Sequence, residues 1–232
     1  MQAGVHFIHS RQVAWRSILR RSASCGGDFS VATVVLGPAL LRHPTIQEER
    51  IMTEAKKMDA IALLKADHRK VEDLFEKFEA AKDANRKKAL ALEICTELSV
   101  HATIEEEIFY PACKGKVEED LMSESYVEHD GAKVMIAELV GSSPSDEFYD
   151  AKMKVLSEEI KHHVKEEERP GEGVFAQARD GGLDMEALGE RMKARKEQLL
   201  AKIKSEGLPP PVTRSFTGHK LQQGHTIEAK AA

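Results

Sequence analysis

Residues 153–167 read MKVLSEEIKHHVKEE, and this stretch decides the fold. Met153, Leu156, Ile160, His163 and Glu167 step by three, four, three and four, the seam of an amphipathic helix packed into a bundle. An apolar stripe that ends in a histidine and, one turn later, a carboxylate carries a charge that burial penalises unless a cation balances it. The same pattern occurs in Ile94, Leu98, His101, Glu105 and Ile108. Two copies of His-x-x-x-Glu on inward faces point to a metal site inside a helical bundle.

Working outward, a first helix is expected from about Asp59 to Ala81, with Ile61, Leu64, His68, Val71, Phe75 and Phe78 on its seam. Asp83-Ala84-Asn85 forms a turn, and a second helix runs from about Arg86 to Cys113. Its seam continues past Glu105 to Ile108 and Ala112. Glu106 and Glu107 fall off that face and read as a solvated edge, and Pro111 is expected to distort the last turn. A third helix, from about Glu118 to Val140, places Ser125, His129, Ala132, Ile136 and Leu139 together. Tyr126, one turn before His129, is either core packing or a hydrogen-bond partner of the site. Gly141 to Ser145 is a loop and cap signal that opens the fourth helix. There His162 and His163 are adjacent, so two His-x-x-x-Glu pairs compete. Only His163 and Glu167 stay in phase with Met153, Leu156 and Ile160; His162 and Glu166 lie outside the seam.

Composition agrees with an all-α chain. Of 232 residues, 31% are charged and 5% aromatic, with long runs rich in Ala, Glu, Lys and Leu. Lys and Arg number 34 against 39 Asp and Glu, a formal charge of −5, which argues against nucleic-acid binding. No apolar run reaches the length of a membrane span, so no membrane partner is expected. Cys25, Cys95 and Cys113 form no CxxC pair, which excludes a disulfide framework and a zinc–thiolate site and implies a reducing, cytoplasmic setting. Residues 1–51, Arg-rich and with no acidic residue before Asp28, read either as a targeting segment or as sequence ahead of a true start at Met52. The bundle is assigned to 52–176. An amphipathic helix in 177–206 serves as bundle packing or a homodimer element, and 207–232 reads as a disordered tail.

The histidines repeat with the helices: His68 and His101 are 33 residues apart, His129 and His163 34. Two similar hairpins facing one another, up-down-up-down, bring His68, His101, Glu105, His129, His163 and Glu167 to one level. That set exceeds what one tetrahedral zinc takes and suits two ions that share a carboxylate. Nitrogen and oxygen donors without thiolate favour iron, with manganese second.

His68 in ADHRKVEDLF, His101 and Glu105 in HATIEEEIFYP, His129 in VEHDGAK, and His163 and Glu167 in HHVKEEE resemble the hemerythrin-like, HHE cation-binding family over about Met58 to Ala176. The resemblance implies a four-helix bundle with a non-haem di-iron centre on these residues. Two features depart from the family pattern. Lys133 stands where the oxygen carriers have a further histidine, which disfavours reversible oxygen transport and places the chain with the bacterial branch. Pro170 to Gly173 interrupt the run from Glu167 to Phe175. The expected function is binding or sensing of O2, peroxide or NO, or iron handling in oxidative and nitrosative stress. The rivals are a di-iron enzyme of ferroxidase, peroxide-consuming or iron–sulfur repair type, and a metal-free helical adaptor.

Overall fold

The computed structural model describes residues 58–216, so the expected extension 1–51 lies outside the described residues, as does the tail beyond 216. Four long helices form the bundle: α1 (Ala60–Ala80), α2 (Ala84–Ile104), α4 (Glu119–Gly141) and α5 (Tyr149–Glu167). A wide π-helical turn (Glu105–Phe109) and the short α3 (Tyr110–Cys113) continue α2, while α6 (Val174–Asp180) and α7 (Met185–Glu206) follow the bundle. No strand occurs among the described residues. Asp59 and Asp83 start α1 and α2 by accepting from the Ala62 and Arg86 amides at 2.7 and 2.8 Å. Each cap satisfies an amide that the first helical turn leaves unpaired.

The interior is two apolar clusters with a polar layer between them. One is built from Val71 to Phe78, Leu90 to Leu98, Ala132 to Leu139 and Tyr149 to Leu156. The other gathers Ala60 to Leu64, Ile104 to Val117, Val174 to Ala178, and Leu188 with Met192 of α7. Along α1 the order is Leu64, His68, Val71; along α5 it is Leu156, His163, Glu167, with Val174 of α6 beyond. Every bundle helix thus passes its histidine through one level, flanked by apolar packing above and below.

The π turn changes which residues of the second helix face inward. The Tyr110 amide reaches back five residues to the Glu105 carbonyl, immediately ahead of Pro111. Pro111 has no N–H, and its ring crowds the carbonyl four residues before it, so a widened turn relieves the ladder upstream. The expected distortion therefore precedes Pro111 and advances the phase by one residue. Phe109, Tyr110 and Cys113 are buried in place of the expected Ile108 and Ala112.

Helix α7 lies against α1 and α2 of its own chain, burying Leu188, Gly189 and Met192. A side chain at Gly189 would stand 2.5 Å from the Met58 carbonyl, so glycine permits this crossing. Residues 207–216, expected as the head of a disordered tail, instead run back to α4. There the Arg214 and Ser215 amides and the Ser215 hydroxyl donate to Asp130 Oδ2 at 2.7, 2.5 and 2.7 Å. No described helix is long and apolar enough to cross a membrane.

Candidate metal centre

The six side chains singled out in the sequence meet in the polar layer. His68, His101, Glu105, His129, His163 and Glu167 are all buried. They fall into two groups with potential ligand atoms within 4.8 Å of one another, His68/His101/Glu105/Glu167 and Glu105/His129/His163, which share Glu105. The Nε2 atoms of His68 and His101 are 3.1 Å apart, and those of His129 and His163 3.2 Å apart. Glu105 Oε2 lies 3.2 Å from His101 and 3.4 Å from His129, linking the two groups. Glu167 Oε2 lies 3.4 Å from His68 and 3.6 Å from His163. His163 is therefore inside, whereas the His162 side chain is 61% exposed.

Each histidine is held from behind by a carboxylate that belongs to another segment. Asp67 of α1 faces His101 Nδ1 at 3.6 Å, and Glu106 binds His129 Nδ1 at 3.1 Å. Glu128 of α4 binds His163 Nδ1 at 2.7 Å, and Glu168, just past α5, binds His68 Nδ1 at 2.8 Å. The chain of support runs from α1 to α2 to α4 to α5 and back to α1. Three of these carboxylates also pair with lysine or arginine. Glu168 meets Arg69 at 2.8 Å and Lys65 at 3.3 Å, Asp67 meets Lys196 of α7, and Glu106 meets Lys133 at 2.6 Å and Arg214 at 3.2 Å. Burial alone would raise these three carboxyls, but the facing histidines and cations outweigh it and hold all three below the usual range.

This shell bears directly on whether a cation fits. At His68, His129 and His163 a carboxylate within 2.7–3.1 Å accepts the Nδ1 proton, so the tautomer with a bare Nε2 faces inward. His129 and His163 then turn two bare nitrogens on one another at 3.2 Å. Glu105 Oε1 and Glu167 Oε2 are buried with no hydrogen-bond partner, as are His101 Nδ1 and the Asp67 Oδ2 that faces it. Such inward-facing groups are costly alone and are satisfied together by cations between them. Without that charge the two carboxyls part: burial and the neighbouring Glu167 push Glu105 up to about 8. Glu167, against His163 and His68, stays well below the usual range despite burial. Burial would lower His163, but Glu167 and Glu128 outweigh it and raise it.

The structure also corrects and extends the sequence reading. Glu106, expected on the solvated edge, is 7% exposed and supports His129. Lys133 is buried too, its ammonium directed to Glu106 and, at 3.1 Å, to Asp130. Tyr110 lies off the regular seam of the second helix. Its hydroxyl donates to Glu167 Oε1 at 2.9 Å and lies 3.4 Å from His129 Nε2. Tyr126 packs edge-on against Tyr110 with ring centres 5.3 Å apart. The Pro170–Gly173 interruption folds α6 back so that Phe175 stacks on the His68 ring at 5.8 Å. Gly173 allows it, since a side chain there would stand 2.4 Å from the Glu166 carbonyl. Cys95 and Cys113 are buried thiols, pushed up to about 12 by burial. The signal that could have exposed the outer carboxylates is local: each is adjacent in sequence to an inward ligand, as in Asp67-His68 and Glu128-His129.

Comparison with known proteins agrees with the fold. A crystal structure of a hemerythrin HHE cation-binding domain-containing protein from Mycobacterium kansasii is 26% identical, with a TM-score of 0.52, over 65% of this chain and 94% of its own. A curated protein described as a DNA nickase, from Nostoc sp., is 26% identical over 116 residues, half of this chain. The chain spans about a third of that relative's length. Residues 59–170 match the family described as hemerythrin HHE cation binding domain, the same interval over which the four helices deliver their histidines to one level, and over that interval the chain is similar to that family.

Proposed function

We propose that this chain holds two iron ions and uses them to bind, sense or reduce a small oxidant such as dioxygen, peroxide or nitric oxide. His68, His101, Glu105 and Glu167 would hold one ion, and Glu105, His129 and His163 the other. The observation that carries the reading is the pair of facing Nε2 contacts at 3.1 and 3.2 Å, three of the four imidazoles hydrogen-bonded from behind by a carboxylate. Donors of nitrogen and oxygen alone suit iron, and manganese after it. Ferrous ions so held supply electrons and open positions to small oxidants.

The protein's own part is to shape access and protonation. A cavity of about 30 Å³ adjoins all four histidines, walled by Val71, Leu98, Ile136, Ile160 and Val164. A single water needs ~10–15 Å³, so this space admits a diatomic molecule or peroxide. Ser99, whose buried hydroxyl has no partner, lines the same cavity. Tyr110 contributes a phenol proton held well above its usual range by burial and by Glu105 and Glu167, so its hydroxyl remains a donor to Glu167. Lys133, committed to Glu106 and Asp130, is not turned toward the centre, which favours reaction or sensing over reversible carriage.

Anaerobic loading of the full chain with ferrous iron tests the reading. Two equivalents should bind, and the optical spectrum should change on adding dioxygen, peroxide or nitric oxide. Fewer than two equivalents, or a spectrum indifferent to all three, would overturn it.

A further inference from the structure

One His-x-x-x-Glu pair remains after the inner set is assigned. His162 and Glu166, one turn apart on α5, present Nε2 and Oε1 toward one another at 3.6 Å. Glu128 of α4 brings Oε1 to 3.5 Å from the same Nε2. The three form a ligand group of their own at the bundle surface. Neither distance is a hydrogen bond, since N–H···O contacts close at ~2.7–3.2 Å. Both lie just beyond the edge of a metal polyhedron: ligands 2.0–2.1 Å from a tetrahedral ion stand about 3.3–3.4 Å apart.

A second observation singles out this corner. The other three outer carboxylates, Glu168, Asp67 and Glu106, each pair with a lysine or arginine. Glu128 is the exception among the described residues: its partners are His163 on one oxygen and His162 on the other. The pattern that gives every outer carboxylate a positive neighbour is completed at Glu128 if a cation sits between it, His162 and Glu166.

We propose that Glu128, His162 and Glu166 form an outer site for one divalent transition metal, distinct from the inner pair and joined to it through Glu128. One nitrogen and two carboxylates, with the remaining positions open to water, suit zinc or cobalt rather than calcium. The competitor for this site is Arg169, whose guanidinium lies 3.6 Å from Glu166 Oε1. Glu128 Oε2 stays on His163 Nδ1 while Oε1 takes the outer ion, so one carboxylate serves both centres.

Cobalt(II) titration of the full chain, as purified and after iron loading, followed by its visible absorption and by calorimetry, tests the site. Wild type should show a binding event at micromolar cobalt beyond the inner equivalents. His162→Ala should weaken that event by more than about 100-fold, beyond the loss typical of removing an outer partner. Arg169→Gln should tighten it by about two- to fivefold, the size of one exposed ion pair. Iron content and the inner absorption should be the same in all three proteins. A cobalt titration of His162→Ala that superimposes on wild type would overturn the outer site. Loss of iron from wild type itself would instead count against the inner assignment, because the His162-dependent event is read as a difference in either preparation.

Discussion

Replacing Glu106 by glutamine tests how the inner histidines are held. Glu106 Oε1 accepts from His129 Nδ1 at 3.1 Å and Lys133 at 2.6 Å, and Oε2 meets Arg214 at 3.2 Å. Glutamine keeps the volume but removes the charge, and its NH2 must face at least one of these donors. His129 becomes a weaker electron donor through Nε2, and outer partners of this kind are worth ~10–100-fold in metal affinity, or ~1.4–2.7 kcal/mol. Lys133 keeps Asp130 at 3.1 Å, so the fold should lose only the charged hydrogen bond, ~1.5–3 kcal/mol. The neighbouring Glu107, half exposed and paired with Arg195 at 2.7 Å, provides the control. Competition of the full chain against a chromophoric chelator for ferrous iron, with thermal melts of both variants, gives the two numbers. Glu106→Gln should lose ~10–100-fold in affinity and Glu107→Gln should match wild type. Equal affinities for the two variants would refute the supporting role of Glu106.

Further expectations follow from the same geometry. His163→Ala should sharply reduce iron content and the charge-transfer band, and His162→Ala should leave both in place; the opposite result would mean that α5 is rotated by about one residue. In metal-free protein Glu105, pushed up to about 8 from 4.5, holds a proton that the unfolded chain gives up, so stability should fall as pH rises through that window. The raised His163 acts in the same direction above 6.5. Urea unfolding at pH 5 and pH 8 would show the decline, iron should remove it and raise the melting temperature, and a flat profile would contradict the assignment. Asp130→Asn should release residues 207–216 from α4, seen as faster amide exchange at Arg214 and Ser215; unchanged exchange would show that the carboxylate does not hold the strap.

Helical periodicity in the sequence determined which side chains share an inward face. Burial is costly for any charge, so a seam that runs Leu156, Ile160, His163, Glu167 already states that something cationic belongs there, and it separates His163 from His162. The order of the hairpins likewise follows from the equal spacing of the histidines. The period is silent about residues one step off the seam, because their role depends on a neighbouring segment. Asp67 matters through His101, Glu106 through His129, Glu128 through His163 and Glu168 through His68. Those pairings exist only once the helices stand side by side in a ring. Tyr110 and the inward turn of Glu106 depend on the π-helical turn, one extra residue in a turn that a regular 3.6-residue period cannot anticipate. The docking of Arg214 and Ser215 on Asp130 joins residues 84 and 85 positions apart. Local pattern thus selected the six inward side chains, and tertiary contact alone decided what orients them.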